Sequence, residues 1–346
     1  MAKSDTHWSR AGEAGTLLGM QILLLIYRIF GRWGFRVFLL PVMGYFYLSR
    51  REARLASLQY LQQIGPYMTE ASQHSLTAFR HFLMFGETLL DKLLVWMGRI
   101  SRADVVFETP AAFARMETEG RGGIIIVSHL GNTEVCSALA HQLPDMRLTL
   151  LVYTQHAEKF NALMKKVNRS ARIEMLQVTD MSPATAMVLS ERVAAGEYIV
   201  IAGDRTPVTG PGRVASVSFL GRPAALPQGA FILAGLLKCP VYLMFCLKQQ
   251  QRYHIYLELF AEQLKFARKQ REQAIHHAVQ RYAGRLEFYC LKAPLQWFNF
   301  FPFWRDAVSD QSPPGVAAVN HQAISHVSVT PDGERVRHVG EESNHG

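Results

Sequence analysis

Gly122-Gly123-Ile124-Ile125-Ile126-Val127-Ser128-His129-Leu130-Gly131-Asn132-Thr133-Glu134 reads as a buried strand that runs straight into a polar turn. A β-branched run with no alternation of apolar and polar residues is the pattern of a strand covered on both faces, as in a parallel sheet packed between helices. The apolar segment Val135 to Leu143 that follows reads as a helix. A histidine at the carboxyl end of such a strand stands where open α/β sheets place their ligands. The expected class is α/β, with a mostly parallel central sheet flanked by helices.

His129 and Glu134 are five residues apart, a spacing that would put them on different faces of a continuous helix. With His129 at the strand end and Glu134 in the first helical turn, a reversal at Gly131-Asn132 brings the carboxylate toward the imidazole. A carboxylate on Nδ1 fixes the tautomer and stabilises the imidazolium that forms when Nε2 takes a proton. Such a general base suits direct attack by a substrate hydroxyl or amine on an activated acyl group. No G-x-S-x-G elbow offers a serine nucleophile instead. The plainer reading is a turn histidine followed by a glutamate that favours the positive end of a helix. Asn132 reads equally as a turn or N-cap residue and as a contact to the reacting centre.

Outward from this turn, the chain of 346 residues is 49% apolar and 19% charged, below the roughly 25% charge of typical soluble domains. That excludes wholesale disorder and a multispan membrane protein. Lys and Arg outnumber Asp and Glu by 37 to 28, so an anionic partner is expected. The excess is uneven: Met1 to Arg54 carries eight basic residues against three acids, and Asp306 to Gly346 carries two against six. Positive charge placed with an apolar front favours a membrane surface over nucleic acid. The four scattered cysteines, Cys136, Cys239, Cys246 and Cys290, read as buried free thiols.

That front holds two apolar runs, Thr16 to Phe30 and Phe35 to Leu48, separated by Gly31-Arg32-Trp33-Gly34. Each is shorter than the ~20 residues that span a bilayer comfortably, and no small-x-small cleavage site follows. Arg28, Arg32 and Arg36, interleaved with Tyr27, Trp33, Tyr45 and Tyr47, fit an interfacial helix that lies in one leaflet or spans marginally. Two amphipathic helices packed on the domain are the competing reading. From Glu52 to Ile100 the apolar spacing is helical, broken at Gly65-Pro66 into two helices, with His74 and His81 on one face. These histidines, at a spacing of seven, read as ordinary core or surface residues.

Further along, Tyr198 to Ala202 reads as a second buried strand, which should open Asp204 and Arg205 onto the edge that holds His129. Arg205 reads as a phosphate contact or as half of a surface ion pair with Asp204. Gly210-Pro211-Gly212-Arg213 reads as a mobile loop. Gly229 opens an apolar helix whose first N–H groups could meet an anion, or merely mark its start. The segment Glu262 to Arg285 reads as a basic amphipathic helix, either a carrier-protein docking face or a solvated one. Trp297-Phe298-Asn299-Phe300-Phe301-Pro302-Phe303-Trp304 suits a lipid interface or a core equally, and residues 307–346 read as a tail without period.

The strand followed by His129-Leu130-Gly131-Asn132-Thr133-Glu134 resembles the signature of the lysophospholipid acyltransferase superfamily, and within it the bacterial lipid A biosynthesis acyltransferases, where it commonly reads H-x-G-N-W-E. The resemblance continues through Gly203-Asp204-Arg205, Phe219-Leu220-Gly221-Arg222 and Pro227-Gln228-Gly229, and covers Trp8 to Trp304. Thr133 departs from the usual aromatic residue, and the aromatic ending departs from the usual Arg-Trp. In this respect the chain is similar to the predicted acyltransferases of aryl polyene and related lipid-conjugate pathways.

The resemblance implies a glycerol-3-phosphate acyltransferase-like domain over 51–305, after a membrane-associated anchor over 1–50 and before a tail over 306–346. It implies an enzyme at the cytoplasmic face of a bacterial inner membrane. The acyl thioester donor would be acyl carrier protein or acyl-CoA, and the acceptor a lipid or glycolipid. His129 and Glu134 would be catalytic, and Gly131, Asn132, Asp204, Arg205, Gly221 and Gly229 would contact substrate. No metal, cofactor or nucleic acid enters this expectation. A non-catalytic lipid-binding scaffold and an acyl thioester hydrolase are the alternatives.

Overall fold

The computed structural model describes residues 16–96, 98–135, 146–152, 173–177, 182–205 and 213–304. Cys136, all but the start of the helix expected from Val135 to Leu143, the Gly210-Pro211-Gly212 loop and residues 307–346 lie outside them.

The quoted stretch forms the centre of the molecule. Strand β2 (Gly123–Val127) is buried along its whole length, between two strands parallel to it, β8 (Val241–Gln249) and β5 (Tyr198–Ala202). With β1 (Val105–Phe107), β3 (Leu148–Val152), β4 (Ile173–Gln177) and β9 (Arg252–Ala261), they make a sheet of order β1-β9-β8-β2-β5-β3-β4. Only the β8/β9 pairing is antiparallel, so the expected mostly parallel α/β sheet is the one observed. A separate hairpin, β6 (Val214–Phe219) and β7 (Arg222–Pro227), turns at Leu220-Gly221. Both turn residues have positive φ, as a two-residue hairpin turn requires.

One sheet face is covered by α7 (Gly229–Leu237) and α8 (Arg271–Lys292), whose Phe231, Leu233, Tyr282 and Leu286 join Ile124, Ile126, Ile199 and Phe245 in the largest core. The opposite face packs Ile125, Val127 and Val200 with Met116 of α5 (Pro110–Glu119). Between α5 and α7, α6 (Pro183–Ala194) starts with Ser182 capping Thr185 N–H. The helix expected from Glu262 begins only at Arg271. Leu264 is buried and Phe266 lies in the space left by the missing side chain of Gly235, so the chain is drawn onto α7 before it can coil.

At the front, α1 (Thr16–Ser49) is two helical pieces meeting at Gly31, whose φ of 66° and ψ of −165° are not helical. This break lies where the two apolar runs were separated. The second piece seats Phe35, Leu39 and Met43 against Phe82, Leu90 and Leu94 of α4 (Ala78–Trp96). Packing on the domain is therefore part of the answer for this region. The other face is also apolar and open: Ile29 is 63%, Trp33 80%, Tyr45 67% and Leu48 73% exposed. Among the described residues no helix is long and apolar enough to cross a membrane.

Between α1 and α4 come α2 (Arg51–Ile64) and the single turn α3 (Glu70–Gln73), so the expected pair of helices is three. His74 and His81 consequently share no helical face. His74 is exposed, and His81 is fully buried, with Nδ1 on Ser57 Oγ and Nε2 on the Trp297 carbonyl, each at 2.9 Å.

Asp91 of α4, 1% exposed, ties these layers together. It takes Arg32 of α1 at 2.7 Å and Lys248 of β8 at 2.6 Å. A buried acid with two cationic partners becomes a buried excess of positive charge once the acid is removed. Asp91→Ala is expected to lose about 3–5 kcal/mol of stability in denaturant titrations. Replacing Lys248 by Met in the same chain should recover most of that loss.

Candidate active site

The pairing of β2 with β5 runs Val127 opposite Ala202. His129 and Asp204 each lie two residues beyond that pair, so two neighbouring parallel strands deliver an imidazole and a carboxylate to the same edge. Gly203 donates to the Val127 carbonyl at 2.9 Å, which keeps the two exits aligned. A side chain at Gly203 would collide with Ile126 and the Tyr282 ring.

The carboxylate on His129 Nδ1 is Asp204, at 2.8 Å through Oδ1. Its Oδ2 accepts the His129 main-chain N–H at 2.8 Å and the Trp297 indole N–H at 3.1 Å. The expectation that Glu134 would take Nδ1 is corrected here. Glu134 lies in the first turn of the following helix and points its carboxylate to Lys92 of α4, at 2.7 Å. The His-x4-Glu spacing lies on a bent segment, whereas Asp204 is brought by strand register, which wins because both residues stop at one level. The Asp204 side chain is 1% exposed, so the alternative reading of Asp204 and Arg205 as an ion pair on the surface does not hold for Asp204.

The turn itself is clamped. Gly131 has a φ of 74°, and a side chain there would strike the Cys246 carbonyl. Its N–H donates to the Gln296 carbonyl, and the next N–H, of Asn132, to Cys246, both at 2.9 Å. Phe298 N–H donates to the His129 carbonyl at 3.1 Å. Gln296 is held in turn by a reciprocal pair of bonds to the Lys248 main chain, at 2.8 and 2.9 Å.

Asn132 is 2% exposed, and its amide oxygen and nitrogen find no protein partner among the described residues. Leaving a buried amide unpaired costs about 1–3 kcal/mol, and the Asn299 amide is in the same condition. Arg205 donates to the Phe298 carbonyl at 2.7 Å and lies 5.5 Å from the centre of the Phe301 ring. Gly221 is a hairpin turn residue against Tyr67, and Gly229 starts α7 exposed to solvent. No described contact brings either glycine to His129.

The aromatic run that was open between lipid and core is core. Trp297, Phe298, Phe303 and Trp304 are all buried, and Trp297 meets Tyr60, Phe219 and Phe303 edge to face at 5.0–5.2 Å. Its role at Asp204 was missed in the sequence. The only signal was an indole in a run of aromatics 93 residues downstream.

Electrostatics follow from these contacts. Burial would raise the Asp204 pKa, but the charge and hydrogen bonds of His129, with Arg205 nearby, push it down to about 2. Burial lowers the His129 pKa, and Asp204 partly restores it against Arg205 and Lys92. Burial likewise favours a protonated Glu134, but the Lys92 ammonium holds it below the ordinary carboxylate range, with a smaller pull from His129. The ring of His129 keeps 37% of its surface, and its Nε2 has no partner among the described residues.

Because Asp204 titrates lower in the folded protein than in the unfolded chain, its contribution is present above about pH 4 and lost as pH falls toward about 2. Acid titrations followed by circular dichroism should show wild type losing about 2 kcal/mol more than Asp204→Asn across that window.

Residues 4–306 match the family model of the bacterial lipid A biosynthesis acyltransferases. No curated protein matches the chain. The match covers most of the chain, which therefore belongs to this acyltransferase family.

Proposed function

From that membership we propose that the chain transfers an acyl group from a thioester, on acyl carrier protein or coenzyme A, to a hydroxyl or amine of a lipid or glycolipid. His129 is the general base. The observation that carries this reading is the His129–Asp204 bond at the shared edge of β2 and β5, with Nε2 left to face a substrate. Nε2 takes the acceptor's proton while the acceptor oxygen or nitrogen bonds to the thioester carbonyl carbon. The tetrahedral oxyanion collapses, the C–S bond breaks, and the imidazolium returns its proton to the departing thiolate.

Three neighbours serve that cycle. Asp204 stabilises the imidazolium directly and fixes the tautomer. The Asn132 amide supplies a donor to the oxyanion or the acceptor. Glu134 acts by neutralising Lys92, whose positive charge would otherwise oppose a second one on His129. Thr133, its hydroxyl 3.4 Å from Glu134, stands where relatives usually carry an aromatic ring, in keeping with an acceptor other than lipid A in the aryl polyene or a related lipid-conjugate branch.

The open face of α1 supports work at the inner leaflet of a bacterial inner membrane. It joins Trp33, Tyr45 and Leu48 to Arg28, with Arg50 just past the helix end, the mixture that inserts rings and aliphatics while its charges meet phospholipid phosphates; Arg36 is instead paired with Glu87 of α4 at 3.0 Å. Flotation with vesicles of phosphatidylglycerol and phosphatidylethanolamine should carry the wild type. A chain with Ile29→Glu and Trp33→Glu should stay behind, and its thermal unfolding should be unchanged.

Acyl transfer is read by mass spectrometry, which separates an acylated acceptor from the free acid of a hydrolase. With medium- and long-chain acyl thioesters and a bacterial lipid extract, His129→Ala is expected to lose about 10²–10⁴ in rate. The acid limb of kcat/KM lies below pH 6.5, since burial depresses the base. Asp204→Asn moves it lower still and reduces kcat. Glu134→Gln does the same more weakly, and Lys92→Gln in the same chain should restore it. Wild-type transfer by a folded His129→Ala protein would end the proposal.

A further inference from the structure

The proposed chemistry leaves the buried aromatic run unused, yet its first residues touch both members of the His129–Asp204 pair. Gln296 and Phe298 hold the His129 turn through main-chain bonds, and Trp297 between them bonds Asp204 through its side chain. A carboxylate swings easily about its last torsion, which has broad wells. Asp204 Oδ1 is engaged by Nδ1, and Oδ2 by the His129 N–H. The Nδ1 bond moves with the ring, so from this side only the main-chain N–H, fixed by the clamped turn, anchors the carboxylate. The indole N–H reaches Oδ2 from a different part of the fold. It is a donor only, so it cannot reverse its role when His129 gains a proton.

The indole is itself fixed. Trp297 is 1% exposed, with Tyr60, Phe219 and Phe303 around it. Its carbonyl accepts from His81 Nε2, while Ser57 Oγ–H donates to His81 Nδ1. Burial lowers the His81 pKa to about 4, so this ring is neutral and its pattern of one donor and one acceptor is constant at working pH. Arg205 closes the other end through the Phe298 carbonyl.

We infer that Trp297 is the positioning residue of the base. Its indole N–H, supplied by the C-terminal segment Gln296–Phe298, sets the plane of Asp204 and through it the aim of His129 Nε2. The inference rests on His129 acting as the base.

The test replaces the N–H and keeps the shape. The full-length protein, in phospholipid nanodiscs, is made with 3-benzothienylalanine at position 297, where sulfur stands for the indole N–H. Transfer from medium- and long-chain acyl thioesters to bacterial lipid extract is measured beside Trp297→Phe and Asp204→Asn. The expected result is a fall in kcat of about tenfold, the weight of one ordinary hydrogen bond, with KM for the thioester unchanged. The low-field Nδ1–H proton resonance of protonated His129 should move upfield, while thermal unfolding barely changes. Wild-type kcat with an unmoved resonance in the benzothienyl protein would overturn the inference and leave Trp297 a packing residue. Failure of the base reading looks different: Asp204→Asn would then keep wild-type kcat whatever is done at Trp297.

Discussion

Two parallel strands that end level with one another govern this protein. Because Val127 pairs with Ala202, the first polar side chains able to meet beyond the sheet are those of His129 and Asp204. A slip of one residue would turn the alternating side chains of β2 or β5 to the other face. Register here is held by two buried faces: Ile124, Ile126, Ile199 and Ile201 point into one core, and Ile125, Val127 and Val200 into the other. Apolar packing thus sets the geometry of a polar pair that contributes little to that packing.

Once placed, the pair must survive without water around the carboxylate. Asp204 does so with three donors and the nearby Arg205. Asp91 meets the same problem with two cations drawn from α1 and β8. Its neighbour on α4, Lys92, faces Glu134, so one helix connects the ion pairs of the front segment to the start of the helix behind the base. Each of these acids is compensated by groups from more than one element, which makes the site depend on the assembled fold.

The front segment obeys a different constraint. Phe35, Leu39 and Met43 spend one side of α1 on α4, joined by Tyr27, Val42 and Tyr47, while Ile29, Trp33, Tyr45 and Leu48 stay exposed. Gly31 allows the two pieces of α1 to take separate directions. Of the two readings of the front, the packed helix is the one its contacts with α4 show.

Local pattern alone determined the β-branched strand, the turn with His129 at its end, the break at Gly31, the strand from Tyr198 and the helix opened by Gly229, because backbone propensity and side-chain periodicity act within a few residues. It also placed Asp204 and Arg205 on the edge shared with His129. Tertiary structure decided which carboxylate reached Nδ1. Sequence distance favoured Glu134, five residues away, but strand register brought Asp204 from 75 residues away, and Lys92 took Glu134. The same holds for Trp297: as sequence it is one aromatic among several, and it becomes a hydrogen-bond donor to Asp204 only when His81, Tyr60 and Phe219 enclose it. Which partner a polar group finds is settled by long-range packing, and that information is spread over every residue that builds the pocket.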